Sequence, residues 1–326
     1  MKTFGGILFD EEVVLDYMLE KSTYKAALLE SGIIRNDPII ADQMSIQGNK
    51  FTAPSFSPLT GRSQNHDGVS NITASALASK QQSGIVVRRD NAWTSKDLEA
   101  ELAQEDPQEA IGDYLSDYWK EEDEATLFFE LKGAFSAASA SVLVDDISIA
   151  DGDNATDANL MNANSIIGSL FGTMGDAANK IVAMAVHTDI YASLVKQNLI
   201  TFVPLEDQKT MVPKFLDKFV FYSDNFDKVA GGTSGFVYTS YFFTRGAIGA
   251  APGKVKTPFE IERDALINGG QDTLVSRTAL AFHPYGFSFT ADIATSPTDA
   301  QLSLGTNWEL IFDKKNVGIM AVKTNG

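Results

Sequence analysis

The sequence predicts an α+β fold: an extended N-terminal region, one long helix, a compact α/β unit and a closing run of strands. Three observations carry this. Ile111, Leu115, Tyr118, Ala125, Phe128, Leu131 and Phe135 trace one helical stripe of roughly 28 residues. Gln47 to Gly84, before it, is crowded with Gly, Pro, Ser, Asn and Thr. From Phe219 onward the pattern turns mainly to strands separated by Gly and Pro.

Asp10 to Ser31 reads as a first helix. Val14, Met18, Leu19, Leu28 and Leu29 lie near one face, and Gly32 stands as a C-terminal stop. Asn36-Asp37-Pro38 follows as a helix breaker. The turn-rich stretch then contains Ala53-Pro54, Ser57-Pro58, Thr60-Gly61 and Asp67-Gly68. It is far longer than ordinary connections, which marks it as disordered or functional. Its ends, Phe51 to Phe56 and Ile85 to Arg89, can pair as an extended hairpin.

Trp93 to Leu98 reads as a helix start, with Thr94 as cap, Asp97 answering it and Trp93 stapling on Leu98. A second start falls at Asp106-Pro107-Gln108-Glu109, with Pro107 in the tolerated first turn. The helix that follows would span about 40 Å at ~1.5 Å per residue.

Val142 to Ile149 then reads as a strand and Asp157 to Gly175 as a helix carrying Leu160, Ile167, Leu170, Phe171 and Met174. Ile181 to Val186 is a short buried strand. Thr188 caps a helix through Asn198, and Leu199 to Val203 returns as a strand. The later strands are Phe219 to Tyr222, Gly235 to Phe243, Leu274 to Phe282 and Trp308 to Val322.

Charge is uneven. Asp97 to Glu124 holds twelve carboxylates against Lys120, a net −11 of the formal −17. Ser45 to Arg89 holds Asp67 against Lys50, Arg62, Lys80, Arg88 and Arg89, a net +4. A basic loop and an acidic helix that cannot neutralise themselves locally suggest charges matched between copies. Lys50, Arg62 and Lys80 on one side, and Glu105, Glu109, Asp113 and Asp117 on the other, are the expected inter-subunit contacts. A net charge of −17 argues against binding nucleic acid through its backbone.

Little here suggests chemistry. There is no cysteine, so no disulfide framework, thiolate nucleophile or Cys-based metal site, and a reducing cytosol fits. The first residues carry no apolar stretch behind Lys2, and no run of 18 apolar residues exists. His66, His187 and His283 are widely spaced. No Gly-x-Ser-x-Gly elbow, His-Glu-x-x-His or Walker loop is present. Asp151 to Asp157 has the look of a calcium loop, but Thr156 stands where its glycine belongs and Asn162 where its last acid belongs, so an Asx-rich turn is expected. Gly231 to Gly235 reads as a hairpin turn. Neither cofactor nor metal is expected.

The order of elements resembles the major capsid proteins of tailed bacteriophages, the Hong Kong 97 type of fold. Particular residues look like the gp13-like branch. They are the strand-to-helix run from Lys180 through His187-Thr188-Asp189 to Leu194, then Pro258-Phe259-Glu260-Ile261-Glu262-Arg263-Asp264-Ala265, Phe282-His283-Pro284-Tyr285-Gly286-Phe287 and Asn307-Trp308-Glu309-Leu310. The resemblance implies an N-terminal arm over residues 1–44 and an extended loop over 45–91. It implies a peripheral domain with a spine helix over 92–145 and 255–290, and an axial domain over 146–254 and 291–326. It further implies a non-enzymatic head protein that self-assembles in the host cytoplasm as pentamers and hexamers of an icosahedral shell around double-stranded DNA, with a portal protein and no membrane. Only about 45 residues precede the loop, so no removed segment and a separate scaffolding protein are expected. Lys50 and Lys80 lie in the loop where some relatives crosslink, but nothing marks either as activated. The alternatives are an encapsulin-like compartment shell and, from another class, a hydrolase or ligand-binding enzyme using His187.

Overall fold

The computed structural model describes residues 2–4, 7–9, 32–45, 49–56, 63–66, 68, 71, 79–96, 108–204 and 211–326. The helix expected over Asp10–Ser31 lies outside them, as does the predicted first-turn Pro107.

The chain opens with an antiparallel hairpin of β1 (Lys2–Phe4) and β2 (Ile7–Phe9). After β3 (Ile34–Asn36) comes α1 (Pro38–Ser45). The triplet Asn36-Asp37-Pro38, expected to break a helix, starts one. The backbone N–H of Ile39 donates to Asp37 Oδ1 at 2.9 Å, and Pro38 occupies the first turn, where its missing donor costs nothing.

β4 (Lys50–Phe56) and β5 (Ser79–Ile85) form the extended hairpin, Lys50 opposite Ile85 and Phe56 opposite Ser79. Its second arm lies earlier than expected, because Phe51 packs over Gly84. A Cβ there would stand 2.1 Å from the ring. The residues beyond form β6 (Val87–Lys96), which overturns the predicted helix start at Trp93–Leu98. Thr94, Ser95 and Lys96 pair with Thr273, Asp272 and Gln271 of a distant strand, while Trp93 packs edge-on against Tyr118 at 5.2 Å. A ten-residue ladder outweighs a local cap worth about 1 kcal/mol.

The long helix is present as α2 (Gln108–Ser136), 29 residues and so about 43 Å. A 3₁₀ turn (Ala138–Leu143) leads to β7 (Val144–Asp146), shorter than the predicted Val142–Ile149. α3 (Ala163–Met174) begins six residues later than expected, because Asn162 accepts from the backbone N–H groups of Asn164 and Ser165 and Ser165 Oγ answers at 3.1 Å. β8 (Ile181–His187) runs into α4 (Thr188–Lys196). Its cap is His187, not Thr188: Nδ1 accepts the backbone N–H of Asp189 at 3.1 Å. Then follow β9 (Thr201–Pro204), β10 (Met211–Phe215), β11 (Lys218–Ser223), β12 (Lys228–Ala230), β13 (Phe236–Thr244), β14 (Ile248–Pro252), β15 (Phe259–Asp264), β16 (Gln271–Pro284) and β17 (Phe287–Phe289). Gly231 to Gly235 joins β12 to β13 as the expected hairpin turn. After a short α5 (Asp299–Leu302), the strand predicted over Trp308–Val322 is two, β18 (Trp308–Leu310) and β19 (Ile319–Thr324). A 3₁₀ turn at Lys314–Asn316 divides them.

Two sheets organise these elements. One has eight strands in the order β7-β19-β13-β8-β11-β10-β9, with β12 also on β13. Its β8–β11 and β19–β7 pairs are parallel. The other has five, β15-β16-β14-β3, with β6 on β16. α2 serves both. Its first half seats Leu115 and Trp119 with Phe259, Ile261 and Leu274 of the five-stranded sheet, and Trp119 Nε1 donates to Ser276 Oγ at 3.0 Å. Its second half packs Phe128 and Phe135 on Tyr241 of the eight-stranded sheet. Tyr222 stacks on Tyr191 of α4 from the opposite face. The eight-stranded sheet is thus a middle layer, α2 below and α3 and α4 above.

Candidate assembly surfaces

The described residues among those expected to meet between copies lie on the extended hairpin and on α2. Lys50, at the base of the extended hairpin, lies 3.5 Å from Asp292 of its own chain. Lys80, on the other arm, donates to the backbone carbonyl of Ile311. Further hydrogen bonds dock the hairpin base. The backbone N–H of Ser83 donates to Ser288 Oγ at 2.8 Å, and Gln82 Oε1 accepts from the N–H of Gly286 at 2.8 Å. Arg62 and Glu105 lie outside the described residues, while Glu109 and Asp113 fall within the first turns of α2. Asp117 accepts from Lys120 at 2.9 Å, one helical turn on. So loop cations and helix anions are not joined here by the contacts of Lys50, Lys80 and Asp117.

Near the middle of α2 the carboxylates become unusual. Burial, reinforced by neighbouring Glu122, pushes Asp123 up to about 7. Glu130 is fully buried, and neither carboxylate oxygen has a hydrogen-bond partner among the described residues. Burial pushes its carboxyl well above the usual range; Arg89 pulls weakly the other way. Arg89 itself is held by Asp299 Oδ1 at 2.5 Å and the carbonyl of Pro297 at 2.8 Å. Glu130 was not singled out from sequence. The signal was available: one acid inside the apolar run Leu127-Phe128-Phe129-Glu130-Leu131.

Two of the histidines are hydrogen-bonded structural groups, and His66 lies on an exposed stretch. His187 caps α4, beside Asp189, which also accepts from Lys228 Nζ at 2.6 Å and the Tyr238 hydroxyl at 3.0 Å. His283 is buried, with Nε2 3.1 Å from Gln82 Oε1. That oxygen already accepts from Gly286, so Nε2 carries the proton. Burial pushes this imidazole down to about 4. The Asp151 segment forms a 3₁₀ turn held by Ser234 and Asn154. No cluster of three or more metal-ligating side chains occurs among the described residues.

Solved structures share this architecture. The capsid of Helicobacter pylori bacteriophage KHP30 aligns with a TM-score of 0.55, covering 90% of this chain and 87% of that one at 11% identity. The capsid of Ralstonia phage GP4 aligns at 0.52, covering 92% and 89%, also at 11% identity. The fold is therefore the Hong Kong 97 type of phage capsid shell. Sequence narrows this further. The family model described as Gp13-like, major capsid protein 13-like, matches residues 35–320. The major capsid protein of Bacillus phage SPP1 is 32% identical over 319 residues, 96% of this chain and 95% of that one. The chain belongs to the Gp13-like family of phage major capsid proteins, structural components of a virion shell built from many copies.

Proposed function

We propose that this subunit forms the icosahedral head of a tailed phage, as pentamers and hexamers around double-stranded DNA, without catalytic activity. Assembly takes place in the host cytoplasm with a separate scaffolding protein and a portal protein. The near full-length similarity to a phage major capsid protein carries this reading. The formal charge of −17 supports it, since a negative wall repels DNA and leaves it free to be packaged and ejected. Residues 92–145 and 255–290 are the peripheral part in this reading, and 146–254 and 291–326 the axial part. Purified particles tested by electron microscopy and nuclease digestion decide the cargo. Icosahedral heads that protect double-stranded DNA are expected; shells that hold protein and no DNA would speak for a compartment instead.

The same reading places the basic loop of one copy over the acidic helix of its neighbour. Lys50, Arg62 and Lys80 face Glu105, Glu109, Asp113 and Asp117 there. Exposed pairs are worth only ~0.2–1 kcal/mol each and are screened beyond ~8–10 Å at ordinary salt, but they repeat over every copy. Arg62→Glu combined with Lys80→Glu should impair assembly or make heads salt-sensitive while the isolated subunit stays folded. Normal assembly of that variant at low salt would leave the latch without support.

A further inference from the structure

α3 carries no charged residue in its twelve positions, in a chain that is 21% charged. Its inner face is ordinary: Ile166, Leu170 and Met174 are buried over β7 and β19. Its outer face is not. Ile167 is 43% exposed and Phe171 49% exposed. Gly168 and Gly172, each next in sequence to one of them, line the helix surface beside this row, and a Cβ on either would meet nothing within 4 Å. Val142, in the 3₁₀ turn packed beside the same helix, is also open. Solvent-facing helical surface is normally polar. This one is apolar and low enough for another surface to approach the backbone.

A second apolar flank lies across the sheet, beyond β13 and β8. The Tyr191 ring of α4 stacks on Tyr222 of β11 at 4.2 Å and 12°, and Tyr222 remains 52% exposed. Phe202, on the edge strand β9, is exposed as well. Copies related by a rotation axis meet head to tail through two different surfaces, whereas a two-fold contact needs only one. Apolar patches on opposite flanks of one sheet have the layout that a closed ring requires.

We propose that the Ile167–Phe171 face of one copy packs against the Tyr191–Tyr222 flank of the next copy around a ring. The glycine-floored groove of α3 receives the flat aromatic surface, and each chain contributes one of each. This rests on the shell being assembled from many copies and adds the pair of surfaces that meet.

The absence of native cysteine makes the test direct. In particles of a Phe171→Cys/Tyr222→Cys variant, oxidation or a short bis-maleimide should give a ladder of linked chains on a denaturing gel, up to the ring size. Phe171→Cys alone should give no linked dimer. Efficient self-linking of that single variant overturns the proposal, because it demands a symmetric contact. So does an unlinked double variant whose thiols both react with soluble maleimide in the particle. Should the double variant not assemble, Ile167→Asp and Tyr222→Asp replace it. Each is expected to abolish assembly with subunit melting unchanged, and normal assembly of either overturns the proposal.

Discussion

At the scale of single residues, two buried titratable groups set how stability follows pH. The folded chain holds the Glu130 proton more tightly than the unfolded chain, whose carboxyl titrates near ~4.3. Its stabilising effect is complete below that value and is lost as pH rises. Glu130→Gln keeps the shape and removes the ionisation. Its melting temperature should gain on the parent as pH rises from 4 towards 8, by an amount matching about 1–3 kcal/mol for a buried polar group with no partner among the described residues. Parallel melting curves across that range would show that Glu130 is not held neutral. His283 acts in the opposite direction. Its folded value of about 4 lies below the usual ~6.5, so it favours the folded chain above ~6.5 and that advantage is lost as pH falls towards 4. Set against the parent, His283→Gln should therefore gain in melting temperature as pH falls from neutrality towards 4, and parallel curves would show that the His283 imidazole is not held neutral. Neither role was legible in the sequence. Glu130 looked like one more acid on an acidic helix, and the neighbours that bury both side chains come from remote segments.

At the scale of elements, close approach decides what each helix tolerates. A Cβ at Gly133 of α2 would fall 1.9 Å from the carbonyl oxygen of Leu302 and 2.5 Å from the Trp308 indole nitrogen. Ala at that site gains helix propensity of about 1 kcal/mol but must push α5 and β18 away, and overpacking typically costs about 1–3 kcal/mol. Gly133→Ala should lower subunit stability in chemical denaturation. Gly168→Ala, with open space around it, should raise it by up to ~1 kcal/mol. Equal effects would mean that the Leu302 contact yields at little cost. The long helix was legible because its apolar stripe persists through Phe135, and the hairpin because turn residues crowd between its arms. The strand at Trp93–Lys96 was not, because its partner, β16, is far along the chain and local capping signals pointed the other way. The sequence also placed Ile167, Leu170 and Phe171 on one apolar helix without distinguishing inner from outer face. Only the packing of α3 on β7 and β19 separates them.

At the scale of the whole molecule, charge and apolar surface divide the work of assembly. The acidic helix and basic loop account for most of the uneven charge, which makes their contribution sensitive to salt. The α3 groove and the tyrosine flank would be far less sensitive to salt. Raising ionic strength on particles that carry the native loop charges, and linking Phe171→Cys/Tyr222→Cys particles only after the salt is raised, should separate the two. Loop contacts should weaken while rings persist. The capsid fold itself was legible from element order and from motifs such as His187-Thr188-Asp189 and Asn307-Trp308-Glu309-Leu310. The contact partners were not, since a single chain records only half of each interface.

α2 is a single stiff rod fastened into two different sheets, through Trp119 and Ser276 in its first half and Phe135 and Tyr241 near its C-terminal end. Such a rod turns bending into leverage. A rotation of the five-stranded sheet by a neighbour swings the far end of the rod, and the eight-stranded sheet must follow. Strain applied to the one sheet would thereby be delivered to the other, much as a drive shaft carries torque between two wheels.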